Sequence, residues 1–328
     1  MNNSDRRSFL KIAGISIGAG ALYRVAPLLG AGKAGAAVSD ALKRSNGEAL
    51  RPFSFVQLSD THVGFEGPPD PLGTRAFERA VETINALPEP PELILFTGDL
   101  THDTENPGEH AARLKRFRQI AGGLRVQNIR CVPGEHDAAL DGGALFREQL
   151  GPTSYSFDHR GVHFVALDNV SLGKPEVGAA QRAWLEKDLA RFGSRAPIVV
   201  FTHRPLFDLK PEWEWFTDDG NDVMNLLARF ENVTVLYGHI HREEHRMIGR
   251  AGHHGARSLV FAFPDPASGA EKKPLPFQKD RPFANLGIRT LTSTGGPGAP
   301  GIDDVELSTA EFAGTNGIQQ LLKKGAFA

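Results

Sequence analysis

The residues of this 328-residue chain with the greatest capacity for chemistry are histidines and carboxylates gathered in five short clusters. They are Asp60-Thr61-His62, Gly98-Asp99, Gly134-Glu135-His136-Asp137, His203, and Gly238-His239-Ile240-His241. Singly, an Asp-x-His or His-x-His pair is usually chance or a hydrogen-bonded pair. Together the clusters offer imidazole nitrogens and carboxylate oxygens but no thiolate. That donor set suits Zn, Fe, Mn or Co rather than a sulfur-held structural ion. Asp60, Asp99 and Glu135 with His62, His203, His239 and His241 make three carboxylates and four imidazoles, before His136 is counted. One tetrahedral ion needs only four ligands, so two ions sharing a bridging carboxylate fit the count better.

Such residues act together only if the elements around them bring them together. The first cluster ends the apolar run FSFVQLSD (53–60), the second ends ELILFTGD (92–99), and the third ends NIRCVPGEHD (128–137). His203 lies in APIVVFTHRPL (196–206), and the last cluster ends NVTVLYGHIH (232–241). Between these runs, apolar residues at helical spacing predict helices over 74–91, 109–123, 178–192 and near 221–230. YSFDHRGVHFVALDN (155–169) reads as a hairpin turning at Arg160-Gly161. The chain beyond 242 reads as short β-like pieces, and the proline-rich stretch 264–286 as a long loop. Alternating strands and helices predict an α/β layered fold. All five clusters fall at the C-terminal ends of predicted strands, the edge at which open α/β sheets bind ligands.

The order DxH, GD, GxHD, H, GHxH, running from Phe53 to His241, resembles the calcineurin-like metallophosphoesterase family. The resemblance implies a four-layer α/β fold, two mixed β-sheets in a sandwich flanked by helices. It implies Asp60, His62 and His241 at one metal, His203, His239 and the residue at 135 at the other, and Asp99 as the bridge. It also implies hydrolysis of a phosphomonoester or phosphodiester by attack of a hydroxide held between two divalent or mixed-valence ions (Fe, Zn or Mn). His136 would face the phosphoryl group and serve the leaving oxygen, with Asp137 orienting its ring. The chain departs from the family at one position: Glu135 stands where Asn is usual. Ligation by Glu135 is the expectation, with a pair to Arg204 as the alternative. A ligating Glu135 adds negative charge and favours a more highly charged ion such as Fe(III). A non-catalytic metal or phosphate-binding protein, and a hydrolase of a non-phosphate ester or anhydride, are the rival readings.

Several further residues carry weaker expectations. His102-Asp103 lies either near the centre or in a solvated loop. Arg204 meets either a substrate phosphate or an acid. Trp213 and Trp215 either wall a pocket or pack a loop, and Ser293–Gly298 reads as flexible backbone. His245, His253 and His254 are expected at the surface.

The bulk properties set outer limits. With 40% hydrophobic residues and mean hydropathy −0.27, the chain reads as soluble with a proper core. A net charge of −2 gives no electrostatic case for nucleic-acid binding. A single cysteine, Cys131, excludes an internal disulfide. Arg6-Arg7 before the short apolar stretch Ile12–Leu22 resembles a bacterial twin-arginine export signal, although Asp5 replaces the usual Ser or Thr. The expected organisation is therefore a signal at 1–36, a linker at 37–51, a metallophosphoesterase domain at 52–300 and a tail at 301–328. Expected partners are the twin-arginine machinery and a small-molecule phosphoester, with periplasmic or secreted localisation and no stable membrane span after processing. Residues 1–36 carry net +4, leaving the remainder at −6, so a site for anions would need cations.

Overall fold

The computed structural model describes residues 51–307. The expected export signal, nearly all of the linker and residues 308–328 lie outside the described residues. Among those described, no helix is long and apolar enough to cross a membrane.

Among the described residues, eleven strands form two sheets. The first has the order β11-β10-β1-β2-β3, from β1 (Phe53–Leu58), β2 (Leu93–Thr97), β3 (Ile129–Val132), β10 (Gly287–Ser293) and β11 (Gly301–Glu306). The second has the order β4-β5-β6-β7-β9-β8, from β4 (Tyr155–His159), β5 (Val162–Ala166), β6 (Pro197–Phe201), β7 (Asn232–Tyr237), β8 (Glu244–Ile248) and β9 (Ala251–Gly255). β1, β2 and β3 run parallel, as do β5, β6, β7 and β9, while antiparallel strands complete both sheets. Both sheets are mixed.

β1, β2, β5, β6 and β7 read as nearly unbroken apolar runs because both of their faces are buried. On β1, Phe53 and Phe55 point between the sheets, where they meet Leu95, Phe164, Phe201 and Leu236. Val56 and Leu58 point outward, against Phe77 and Phe117 of the helices covering the first sheet, α1 (Arg75–Asn85) and α2 (Pro107–Ala121). Helices α5 (Ala179–Leu189) and α6 (Gly220–Leu227) cover the second sheet through Leu185, Leu189, Val223 and Leu227. The result is the expected four layers, helix, sheet, sheet, helix. Local chemistry agrees with it. Asn106 accepts hydrogen bonds from the Gly108 and Glu109 amides ahead of Pro107, which starts α2. Arg160 and Gly161, both at positive φ, turn the β4–β5 hairpin.

Three features differ from the sequence reading. The third cluster does not extend β3 but opens a one-turn helix, α3 (Glu135–Ala138), followed by α4 (Ala144–Leu150), which the sequence reading lacked. The domain boundary at 300 is corrected, because β11 pairs along its length with β10 and Leu307 is buried in the core under the first sheet. GIDDVE was hard to read as a strand because its acids face the seam and solvent, while only Ile302 and Val305 pack. Finally, His253 is fully buried rather than on the surface, packed edge-on against Phe207.

Candidate metal centre

The clusters meet where the parallel strands of both sheets end. Asp60 and His62 follow β1, Asp99 follows β2, and Glu135, His136 and Asp137 form α3 after β3. His203 follows β6, and His239 and His241 follow β7. The first three groups belong to one sheet and the last two to the other, so the centre straddles the end of the sandwich.

The backbone there is bent to aim side chains inward. Asp60, His62, Asp99, His239 and His241 all have positive φ, at 53°, 39°, 48°, 66° and 50°. They are five of the eight non-glycine residues with positive φ among those described. Such conformations cost of order 1–3 kcal/mol each and persist where the surroundings over-determine them. Here the surroundings include the Asp60 amide donating to Gly98 O (3.0 Å) and the His62 amide to Asp99 O (2.9 Å). The His136 amide donates to Asp99 Oδ1 at 3.0 Å.

All seven expected ligands converge, in two groups. In the first, Asp60, His62, Asp99 and His241 are buried, with donor atoms within 4.8 Å of one another. His62 Nε2 is 3.2 Å from His241 Nε2 and 3.4 Å from Asp99 Oδ2, and His241 Nε2 is 3.4 Å from Asp60 Oδ1. In the second group, Glu135 Oε2 is 2.6 Å from His203 Nε2, and Glu135 Oε1 is 2.8 Å from His239 Nδ1. Asp99 Oδ2 also lies 3.4 Å from His203 Nε2.

These contacts fit a cation better than they fit each other. The outer nitrogens of three rings face backbone carbonyls, which can only accept. His203 Nδ1 donates to Thr97 O (2.7 Å), His241 Nδ1 to Phe261 O (2.9 Å) and His239 Nε2 to Glu214 O (3.0 Å). Those bonds leave the inward nitrogens free as ligands, the usual arrangement around a metal-bound imidazole. His203 Nε2 and Glu135 Oε2 are buried without a hydrogen-bond partner, despite their closeness. Spacings of 3.2–3.4 Å in the first group also match donors placed about 2.1 Å from a shared tetrahedral ion.

The electrostatics point the same way. Burial pushes the Glu135 carboxyl up, but His239 and His203 overrule it and hold it well below the usual range. Burial would likewise raise Asp60, and His241 more than offsets it. Burial disfavours charge on His203, yet Asp99 and Glu135 raise it well above the ordinary imidazole value. His62 is held well below by burial and by the neighbouring His136 and His241. The Asp60 and Glu135 carboxyls are held ionised and draw positive charge into the cleft, a place that protons or metal ions can fill.

His136 stands at the rim. Its Nδ1 is 2.6 Å from Asp103 Oδ1, and its Nε2 faces the centre, 3.9 Å from Asp99 Oδ2. Burial lowers its pKa, but Asp99, Glu135 and Asp103 together raise it. The orienting role expected of Asp137 is corrected. The Asp137 carboxylate is fully buried and accepts from the amides of Leu100, Thr101 and Gly134 and from the Thr101 hydroxyl. It ties the second cluster to α3, and Asp103 is the partner of His136. His102 is the other residue the sequence left open. It stacks on His136 (4.7 Å, 22°), and its Nδ1 is 3.1 Å from His62 Nδ1. The sequence signal for both was their place just past Gly98-Asp99.

Both readings of Glu135 meet in part: it reaches two histidines, and Arg204 Nη2 approaches it at 3.5 Å. Arg204 is otherwise anchored to Glu214 O at 2.8 Å. Trp213 and Trp215 are buried against each other and against Tyr237 and Ile240, so they pack the loop.

A sandwich carrying paired nitrogen and oxygen donor groups at its strand ends defines a class of metal-dependent hydrolase. Residues 53–243 match calcineurin-like phosphoesterase, and the chain belongs to that family. It is a metal-dependent phosphoric ester hydrolase. It is similar to a probable glycerophosphodiester phosphodiesterase of Arcobacter nitrofigilis, 27% identical over 201 residues, covering 57% of this chain and 71% of that one. A 3',5'-cyclic adenosine monophosphate phosphodiesterase of Escherichia coli is 27% identical over 202 residues, covering 58% and 70%. Among solved structures, a dimetal phosphatase from Danio rerio shares the fold with TM-score 0.55 at 14% identity, covering 76% of this chain and 98% of that one.

Proposed function

We propose that this chain is an exported phosphoesterase acting on a small-molecule phosphomonoester or phosphodiester at a two-metal centre. Asp60, His62 and His241 would hold one ion, Glu135, His203 and His239 would hold the other, and Asp99 would be shared by both. The observation that carries this reading is the position of Asp99 Oδ2, 3.4 Å from both His62 Nε2 and His203 Nε2. One oxygen equidistant from two separate donor groups is a ligand that two cations can share. When bound, two such ions supply Lewis-acid charge to a phosphoryl group and activate water near neutral pH. The nitrogen and oxygen donors suit Fe, Zn or Mn, and the charge of Glu135 favours Fe(III) at its own group.

The chain's own residues provide the rest. His136 gives a proton to the leaving oxygen from Nε2, while Asp103 holds Nδ1 and favours the imidazolium. Asp137 holds the two loops at a fixed spacing through its four hydrogen bonds. Phosphodiesters are the favoured class, since the curated relatives described above are named for them. Export rests on Arg6-Arg7 ahead of an apolar stretch. Replacing both with Lys leaves the protein in the cytoplasm if that reading holds, and continued appearance in the periplasm refutes it.

The function is tested by turnover of an aryl phosphate, a bis-aryl phosphate, pyrophosphate and an aryl carboxylic ester by the metal-loaded full chain and by Asp99→Ala. Phosphoester turnover that disappears in Asp99→Ala together with bound metal is expected. Metal binding without phosphoester turnover would instead identify a binding protein.

A further inference from the structure

We propose a separate cation site at the seam of the two sheets, formed by Glu243 Oε1, His245 Nε2 and Asp304 Oδ2 and suited to a divalent transition ion such as zinc. Glu243 leads into β8, His245 lies on it, and Asp304 lies on β11. β8 and β11 are edge strands of different sheets, so an ion here would clamp one sheet to the other. None of these donors belongs to the five clusters, and the site does not depend on what the main centre hydrolyses.

The three donor atoms lie within 4.8 Å of one another. His245 Nε2 is 3.1 Å from Asp304 Oδ2 and 3.4 Å from Glu243 Oε1. Charge-assisted hydrogen bonds are shorter, about 2.8 Å. Donors sharing a tetrahedral ion at bond lengths of about 2.1 Å stand about 3.4 Å apart.

The site is built rather than incidental. Each carboxylate has its other oxygen fixed by an arginine. Asp304 Oδ1 accepts from Arg289 Nε (2.9 Å) and lies 2.8 Å from Arg289 Nη2. Glu243 Oε2 accepts from Arg257 Nη2 (2.9 Å) and Nε (3.2 Å). Arg289 is fully buried and also bonded to Gln57 Oε1 and Gly255 O, so it is held in place. The two free oxygens are thereby aimed at one imidazole nitrogen. The other nitrogen of that ring, His245 Nδ1, is 2.8 Å from His254 Nδ1, its direct cross-strand partner on β9. One of the two must donate. When His245 donates, its Nε2 lone pair faces two carboxylate oxygens, and that arrangement calls for a cation among them. Glu243, His245, His254 and Asp304 line a cavity of about 550 Å³, which leaves room for water to complete the coordination.

The test is equilibrium dialysis of the full chain against zinc, followed by elemental analysis, for the wild type, His245→Ala and Glu243→Gln. Each variant is expected to bind one zinc ion fewer per chain than the wild type, with phosphoester turnover unchanged. The zinc-dependent rise in Tm is expected to shrink in both. Glu243→Gln preserves shape and decides the matter if His245→Ala does not fold. Wild-type zinc content in the folded variants overturns the proposal and leaves His245 as a simple ion-pair partner of the two acids.

Discussion

Glu135 concentrates the chemistry of the centre in one side chain. Its oxygens meet His203 and His239, which hold its carboxyl ionised against the cost of desolvation, and Arg204 approaches from the side. Glu135→Gln keeps length and removes charge. A neutral amide attracts a cation less than a carboxylate does, so the second ion is expected to bind at least about tenfold more weakly while the first stays bound. Metal titration of the variant checks this, and an unchanged second site would mean that Glu135 serves only Arg204. Asp103 and Asp137 make a second comparison at this scale. Asp103→Ala removes the partner of His136 and is expected to lower turnover about 10–100-fold with metal content and Tm retained. Asp137→Ala strips four hydrogen bonds from buried groups and is expected to lower stability by a few kcal/mol, so Tm falls first. The reverse pattern would return the orienting role to Asp137.

At the scale of elements, the centre depends on tight turns after strands. Gly134 has an ordinary backbone conformation, φ −102° and ψ 178°, so its need for glycine is a matter of space. A Cβ there would stand 2.0 Å from Asp99 Oδ1 and 2.2 Å from the Asp99 amide. Gly134→Ala is therefore expected to displace Asp99 and cost at least about 100-fold in turnover, with metal lost in parallel. Normal metal content in the folded variant would contradict this crowding. The strands carrying these turns were legible because β1, β2, β6 and β7 are buried on both faces and read as continuous apolar runs ending in polar residues. The convergence of the seven expected ligands followed from their positions at those ends. What was not legible comes from tertiary placement. α3 is one turn long, too short for a period to register. His102 and Asp103 look like loop residues until the loop after β2 folds beside α3 and brings them to His62 and His136. β11 hides behind acids whose partners lie elsewhere in the chain, Arg289 for Asp304 and Arg257 and Arg281 for Glu306.

At the scale of the whole molecule, the buried histidine His253 links folding to pH. Its ring is fully buried and neither nitrogen has a hydrogen-bond partner, so burial lowers its pKa to about 4. The folded state therefore holds fewer protons on this residue than the unfolded state between pH 6.5 and about 4. Its contribution is whole above pH 6.5 and is lost as pH falls toward 4, a change of about 3 kcal/mol. His253→Phe, which keeps a ring against Phe207, is expected to flatten the acid limb of stability by about that amount; denaturant unfolding at pH 7 and pH 4.5 measures it. Identical slopes in both proteins would remove His253 from the account. The same sandwich that buries His253 brings two sheets to one edge, and the function rests on what is bound there. The most direct test is anomalous diffraction from crystals of the metal-loaded full chain. Two peaks flanking the Asp99 carboxylate are predicted, one among Asp60, His62 and His241 and the other among Glu135, His203 and His239. A single peak at this centre, or a Glu135 carboxylate turned away from the second metal toward Arg204, would contradict it.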